Sequence, residues 1–324
     1  MFSHAFQRKH TEHNKEMPSF LQFVTGLKTV VSQLLPRTVV LKINRFRRRK
    51  ELLEAKRTFN QSTLSDGLLT IEDLRVLYSQ GVFNANYGYS KADLDNRAKK
   101  KVSQLLKMGR GKTIQTYLEL GCWDGMVCHY LQTLGKTAIG IDNRAVGFDS
   151  RALDAGVKLI AMDVAKLEFE DNSFDFCFSY DAFEHFPDPE QALKEIVRVT
   201  KPGGYIFLEF GPLFNSPWGM HGYSVLPVVY LPLLFSKETI VQFLAEEKLG
   251  KFNFNHCNGW SLTQFRELWD SYSTMLEKRE YLEVHNYGHL DTINKYASVL
   301  KMKTLNFEEL TCAEIGVLFR KKLK

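Results

Sequence analysis

The chain has 324 residues, of which 44% are hydrophobic and 25% are charged, a composition typical of globular proteins. This composition excludes collagenous, wholly disordered and disulfide-scaffold classes. The five cysteines are odd in number and form no Cys-x-x-Cys pair, which disfavours a zinc site and a secreted disulfide framework. At roughly 100 to 200 residues per domain, the length allows one large or two modest domains with a substantial core.

The net charge of +6 is concentrated at the N-terminus. Residues 1–60 hold 13 Lys and Arg against 4 Asp and Glu, a net charge of +9, so the other 264 residues carry −3. The longest apolar run, Val225 to Phe235, has 11 residues and two prolines, whereas a membrane span needs about 20 residues. The first 15 residues also lack the apolar centre of a secretory signal. We therefore expect a cytoplasmic protein that associates, at most, with a membrane surface.

A basic helical arm is predicted over residues 1–84. Apolar residues recur at helical spacing from Phe20 to Leu35, and the basic run Arg45 to Lys50 follows them. Residues 20–50 would suit in-plane binding to an anionic membrane or contact with nucleic-acid phosphates. The commonest arrangement is packing of the apolar stripe on the rest of the chain or on a second subunit. The oligomeric state is left open.

Residues 85–324 are predicted to form one α/β domain. From Thr116 onward, short runs that are apolar on both faces alternate with helical segments, which indicates a parallel sheet covered by helices. Further helices are expected at 51–56, 71–77, 91–106, 126–134, 150–155, 189–199, 262–275 and 289–300. The strands are expected at 116–120, 137–142, 157–162, 174–180 and 205–209, with Lys201 to Gly204 as the turn before the fifth strand.

A glycine-bearing turn follows the first strand, at the edge where doubly wound sheets bind their ligands. Gly121 permits a tight turn, and Gly125 lets the next helix start close to the strand. Asp142 ends the second strand 23 residues after Glu119, near the spacing of about 20 at which an acid meets ribose hydroxyls. Asp163 closes the third strand. These three acids are expected to line one edge of the sheet.

The motifs resemble the class I S-adenosylmethionine-dependent methyltransferases, especially the small-molecule branch that includes ubiquinone-type O-methyltransferases and bacterial surface-glycan methyltransferases. The resemblance covers about Tyr117 to Glu209, including Glu119 to Gly125, Gly140 to Asp142, Phe174 to Asp188 and Lys201 to Tyr205. It implies S-adenosylmethionine as cofactor and a Rossmann-like, seven-stranded, mostly parallel sheet with helices on both faces. It also implies an antiparallel last strand, which residues 311–320 can supply.

The resemblance further implies a role for each motif residue. Glu119 and Gly121 would contact the methionine part of the cofactor within the turn that Gly125 completes. Asp142 would contact the ribose, Asp163 the adenine amino group, and Tyr180 with Asp181 would lie beside the sulfonium. Trp123 stands where the family has its central glycine, so either the indole points away from the cofactor or the pocket is remodelled. A dinucleotide is disfavoured, because Trp123 and Asp124 stand where a phosphate needs space and no negative charge.

Methyl transfer to a hydroxyl requires that the enzyme position the nucleophile, exclude water and remove a proton from the hydroxyl. The candidates for this catalytic work are His221, His185 and Asp181. In ubiquinone-type O-methyltransferases, the stretch that matches Asp181 to His185 carries acidic residues and a histidine linked to a divalent metal. Alternatively, Glu184 and His185 cap the following helix or shape the cofactor lid. Asp181, Glu184 and His185 could hold such a metal in the same way, but we expect no bound metal.

A lid and substrate cover is predicted at residues 211–300, between the cofactor half at 116–210 and the final strand. Its segment 211–223 is rich in Gly, Pro and rings, which is typical of loops at the carboxyl edge of a sheet. Trp218 and Tyr223 are expected to form a platform for the substrate, or else to be a buried anchor of the loop. The motifs of nucleic-acid methyltransferases are missing after the fourth strand, so a nucleic-acid partner is not expected.

These observations predict a methyltransferase that modifies an oxygen, or less commonly a nitrogen, of a small molecule, sugar or lipid-linked glycan. The alternative is a catalytically silent, cofactor-binding scaffold or interaction protein, which a pocket closed by Trp123 would favour.

Overall fold

The structure is a computed structural model that describes residues 37–81, 88–109 and 113–323. The amphipathic helix predicted at 20–35 lies outside these residues. The chain divides into two compact units, Met1–Glu54 and Ala55–Lys324. The boundary that we predicted after residue 84 stays a prediction. Among the described helices, none combines the length and the apolar character needed to cross a bilayer.

The predicted helices are present, with shifts of a few residues at their ends. Thr70 and Ser90 each form a capping box with the aspartate three residues later, at the starts of the second and third helices. The expected stretch 51–56 is part of a longer helix. The described α-helices are α1 (Arg37–Gln61), α2 (Ile71–Gln80), α3 (Lys91–Met108), α4 (Met126–Thr133), α5 (Ser150–Asp154), α6 (Pro189–Val199), α7 (Leu231–Leu234), α8 (Lys237–Glu246), α9 (Leu262–Ser271), α10 (Leu290–Lys301) and α11 (Phe307–Thr311).

Seven strands form one sheet in the order β3-β2-β1-β4-β5-β7-β6. Strand β7 is antiparallel to both of its neighbours, β5 and β6, and the pairs from β3 across to β5 are parallel. The predicted Rossmann-like α/β fold with an antiparallel last strand is therefore confirmed. The strands are β1 (Thr116–Leu120), β2 (Thr137–Asp142), β3 (Lys158–Ala161), β4 (Phe174–Tyr180), β5 (Thr200–Phe210), β6 (Leu276–His285) and β7 (Cys312–Lys321).

Two features of the sheet differ from the predictions. Strand β6 was not predicted, because it is an edge strand whose charged residues from Glu277 to Glu280 interrupt any apolar alternation. The stretch Lys201 to Gly204 was predicted as a turn before β5, but it lies within that strand. Phe174 pairs with Thr200 and Phe176 pairs with Tyr205, so these residues form an irregularity in the ladder.

The sheet has an apolar core on each face, because successive strand residues point to opposite sides. On one face Leu118 and Cys177 pack with buried residues of α6 and α9, and on the other Tyr117 and Phe176 pack with buried residues of α3 and α4. The two layers fix the strands, so the turns that follow β1, β2, β3 and β4 meet at one edge.

Candidate active site

Glu119 lies near the end of β1 and is only 4% exposed. The Cys128 thiol of α4 donates a hydrogen bond to its carboxylate, with 3.2 Å between Sγ and Oε2. Burial raises the pKa of Glu119 to about 8, although this hydrogen bond and the positive charge of Lys101 oppose the shift. A cationic group arriving beside Glu119 would therefore favour its charged form.

Both glycines of the turn are required by close contacts. Gly121 has a φ of +73°, and a Cβ added there would lie 2.5 Å from the Cβ of Ala182. Gly125 has a φ of +76°, and a Cβ there would lie 2.4 Å from Cδ1 of Leu159. The turn after β1 is thus packed directly against the turn after β4, as well as against β3.

Trp123 adopts a left-handed conformation, with φ +45°, between these glycines. Its indole is 41% exposed and lies edge-on to Tyr89, with 5.6 Å between the ring centroids. The guanidinium of Arg97 lies 5.5 Å from the centroid of the indole. This geometry favours the alternative in which the indole points away from the crevice.

Asp142 ends β2 and is 6% exposed. Its carboxylate accepts hydrogen bonds from the Trp123 amide at 3.0 Å and from Nε of Arg144 at 2.8 Å. Burial tends to raise the pKa of Asp142, but the hydrogen bonds from Arg144 and Trp123 outweigh it and lower the pKa below its usual value. Asp142 is therefore a carboxylate at neutral pH, tied to the glycine turn.

Asp163 lies two residues beyond β3, and its Oδ1 accepts a hydrogen bond of 2.9 Å from the Ala165 amide. Because β3, β2 and β1 are adjacent and parallel, the structure brings Asp163, Asp142 and Glu119 to the same edge of the sheet. The first is exposed and the other two are buried.

Tyr180 and Asp181 follow at the end of β4, beside a lysine that the sequence did not reveal. The Tyr180 hydroxyl donates to the carbonyl oxygen of Lys101 at 3.2 Å, and Nζ of Lys101 lies 4.5 Å from the centroid of the tyrosine ring. The same Nζ is 3.0 Å from Oδ2 of Asp181. Burial raises the pKa of Tyr180, so the phenol is neutral at physiological pH. Lys101 lies on α3, where its basic neighbours give no signal that distinguishes it.

Three histidines from distant parts of the chain meet next to this edge. The ring centroid of His185 lies 4.9 Å from that of His221 and 4.5 Å from that of His256, and the latter two are 5.5 Å apart. His256 was not predicted. Its position is fixed by Asn258, two residues later, whose backbone N–H donates a hydrogen bond to the Glu184 carbonyl oxygen at 2.8 Å.

Backbone carbonyls orient two of the rings. Nδ1 of His185 lies 2.6 Å from the carbonyl oxygen of His256, and Nε2 of His221 lies 3.1 Å from that of Pro212. Burial lowers the pKa of His185, and it lowers the pKa of His221 to about 4. Both imidazoles are therefore neutral at pH 7, and His221 has a φ of +53°.

Glu184 lies behind His185 and is 3% exposed. Its Oε1 accepts a hydrogen bond from the Gly211 amide at 3.2 Å and lies 3.7 Å from Nε2 of His185. Its Oε2 is buried and has no partner among the described residues. Burial raises the pKa of Glu184 to about 8. The suggestion that Glu184 and His185 cap the next helix is wrong, because Asp188 is the N-cap of α6.

Trp218 and Tyr223 lie together in the predicted lid, half-buried. Their ring centroids are 6.3 Å apart, and Tyr223 is also 6.3 Å from His221. A cavity of 740 Å³ lies between residues 214–215, the start of α9 and the segment before α11. Its lining includes the side chains of Asn215, Ser261 and Glu309. The lid thus brings rings next to the histidines, whereas none of the predicted site residues lines this cavity.

Residues 118–208 match the family model described as a methyltransferase domain. The match includes every residue predicted to bind the cofactor, together with Asp181 and His185. The lid residues His221, Trp218 and Tyr223 lie beyond it.

Curated relatives are similar over parts of the chain. A ubiquinone/menaquinone biosynthesis C-methyltransferase from Bdellovibrio bacteriovorus is 40% identical over 72 residues, 21% of this chain and 31% of the relative. A ubiquinone biosynthesis O-methyltransferase from Paraburkholderia phymatum is 28% identical over 143 residues, 42% of this chain and 60% of the relative. The chloroplastic tocopherol O-methyltransferase of Arabidopsis thaliana is 29% identical over 169 residues, 46% of this chain and 47% of the relative. The chain thus spans less than two thirds of the length of each.

Proposed function

We propose that this chain, which carries a class I S-adenosylmethionine-dependent methyltransferase domain, transfers a methyl group to an oxygen atom of a small-molecule acceptor. The observation that supports this most directly is the pair of buried carboxylic groups, Glu119 and Asp142, on adjacent strands beside the Gly121 turn. S-adenosylmethionine carries an ammonium group, a sulfonium and two ribose hydroxyls, all of which carboxylates can bind.

The residues present fit this cofactor better than a phosphorylated one. We assign Glu119 to the ammonium group, because the buried acid gains a positive partner there. We assign Asp142 to the ribose hydroxyls, which would share its oxygens with Arg144, and Asp163 to the adenine amino group. Tyr180 would lie beside the sulfonium. A phosphate would meet the negative charge of Asp142.

When bound, S-adenosylmethionine supplies a methyl group on a positively charged sulfur. An acceptor oxygen held in line would attack the methyl carbon, and a C–O bond would form while the C–S bond breaks and leaves its electron pair on sulfur. The hydroxyl proton must leave as the oxygen attacks. His221 and His185 are the proposed acceptors of that proton, because each uses one ring nitrogen on a carbonyl and keeps the other available. Asp181, with its exposed carboxylate, is the third candidate.

The lid is the proposed acceptor side. Trp218 and Tyr223 would hold the acceptor against His221. The named relatives include both C- and O-methyltransferases. Oxygen is proposed because a histidine available for a hydroxyl proton lies beside the lid.

The proposal is tested by calorimetric titration of the full chain with S-adenosylhomocysteine. Replacing Asp142 with alanine removes charged hydrogen bonds worth about 1.5 to 3 kcal/mol, so affinity should fall roughly 10- to 100-fold. Asp154→Ala, at an exposed site on α5, is the matched control and should bind like the wild type. Absence of binding by the wild type would overturn the proposal.

Turnover separates an enzyme from a silent scaffold. The chain is incubated with methyl-labelled donor and fractionated cell metabolites, and the labelled product is identified. His221→Asn should retain S-adenosylhomocysteine binding and lose turnover. Tight binding by the wild type without label transfer to any fraction would favour the scaffold.

A further inference from the structure

We propose that His185, His221 and His256 together form a binding site for one divalent transition-metal ion on the acceptor side of the active site. The role of this ion in catalysis rests on the proposed function, but its binding does not. One ring nitrogen of each histidine lies within 4.8 Å of those of the other two. No other triple histidine cluster is found among the residues that the structure describes.

The spacing is close to that of a coordinated triad. Imidazole nitrogens bind zinc at about 2.0 to 2.1 Å, which in a tetrahedral site leaves about 3.4 Å between neighbouring nitrogens. The nitrogens, which lie within 4.8 Å of one another, therefore need to approach by at most about 1.4 Å. His256 is exposed, and both it and His221 lie in segments without regular structure, so side-chain rotation can supply this movement.

The hydrogen bonds of the rings favour coordination. A carbonyl oxygen can only accept, so the proton of His185 sits on Nδ1 and that of His221 on Nε2. Each ring keeps a lone pair on its other nitrogen, which makes no hydrogen bond to any described residue. Donation of the second N–H to a backbone carbonyl is the arrangement that orients metal-binding histidines in proteins.

The Glu184 carboxyl group independently favours a cation at this cluster. Its Oε2 is buried without a partner, and its Oε1 lies 3.7 Å from Nε2 of His185. Unpaired buried polar atoms are costly, so a carboxyl group that keeps one of them and whose other oxygen lies near a ligand nitrogen favours a positive partner. A metal held by the three imidazoles would place that charge next to the carboxyl group.

The donor set selects the metal. Imidazole nitrogens suit Zn²⁺, Co²⁺, Ni²⁺, Cu²⁺ and Fe²⁺, whereas Mg²⁺ and Ca²⁺ prefer oxygen ligands. Three protein ligands leave a coordination position open, which is typical of catalytic sites. The ion would bind the acceptor oxygen there and lower the pKa of its hydroxyl, whose proton would pass to Asp181 or to water. In the loaded enzyme the histidines would act as ligands in place of bases.

The test uses the full chain after dialysis against a chelator. Calorimetric titration with ZnCl₂ should show binding at the cluster, and MgCl₂ should show none. With CoCl₂, visible absorption bands should appear as the ion takes up nitrogen ligands. Absence of both zinc binding and cobalt bands would overturn the inference, while S-adenosylhomocysteine binding would still support the proposed function.

Variants locate the ion. His256→Ala changes an exposed residue, and His221→Asn introduces a residue that also tolerates a positive φ. Both variants should therefore fold. Each should weaken zinc binding at this site at least about tenfold. His285→Ala is the matched control, because Glu283, His285 and Cys312 form the other described group with ligand spacing. Loss of zinc only in His285→Ala would place the ion at that second group and overturn the inference.

Discussion

Replacing Gly121 with alanine should destabilise the protein through two separable effects. The φ of +73° costs a residue with a Cβ about 1 to 2 kcal/mol. The new Cβ would also lie 2.5 Å from the Cβ of Ala182, which cannot rotate away, and such overpacking costs about 1 to 3 kcal/mol. We therefore expect a total loss of about 2 to 5 kcal/mol in the free energy of unfolding, measured by urea denaturation.

Gly135 offers a matched control for this substitution. It has nearly the same φ, +74°, but a Cβ there would meet no atom within 4 Å. Gly135→Ala should therefore cost only the backbone part, about 1 to 2 kcal/mol. The difference between the two variants measures the contact between the turns after β1 and β4.

A double variant identifies the contact itself. Ala182→Gly removes the atom that a Cβ at position 121 would strike, so Gly121→Ala should cost less in that background than in the wild type. The reasoning would be refuted if Gly121→Ala and Gly135→Ala cost the same, or if Ala182→Gly gave no recovery. S-adenosylhomocysteine affinity, measured on the same variants, should fall with Gly121→Ala and not with Gly135→Ala.

Two further predictions concern a partly exposed ion pair and the unusual tryptophan. The carboxylate of Asp175 accepts hydrogen bonds from the amides of Gln115 and Thr116 and from Nζ of Lys201. Burial raises the pKa of Asp175, but these hydrogen bonds outweigh burial and lower the pKa to about 2. Its stabilisation, about 1 to 2 kcal/mol, should be complete above pH 4 and disappear as pH falls from 4 to 2. Asp175→Asn should therefore lower the urea midpoint at pH 7 more than at pH 3, and an equal loss at both would contradict this. Trp123→Gly should leave S-adenosylhomocysteine affinity within about threefold of the wild type in calorimetry, because the indole lies outward; loss of binding would show that the ring supports the cofactor.

The cofactor half of the fold was predictable because its signals are local. The α6 helix was predicted with the correct ends, since Asp188 caps it and Pro189 occupies its first turn. The β4 strand was predicted with the correct ends because aromatic residues recur at every second position from Phe174 to Tyr180, the period of a strand. Local signals failed at β6, where one edge of the strand has no neighbour and charged residues replace the apolar pattern.

The cofactor side and the acceptor side of the candidate site also differ in how far the sequence could predict them. Glu119 and Asp142 lie on strands whose order in the sheet follows from the alternation of strands and helices, so their meeting at one edge could be inferred from spacing. His256 reaches the site through hydrogen bonds of Asn258 to the backbone of Phe183 and Glu184, more than 70 residues away in sequence. Such contacts have no periodicity. The acceptor side is therefore determined by long-range contacts between loops, and a change at Asn258 should disturb the histidines while leaving the cofactor edge intact.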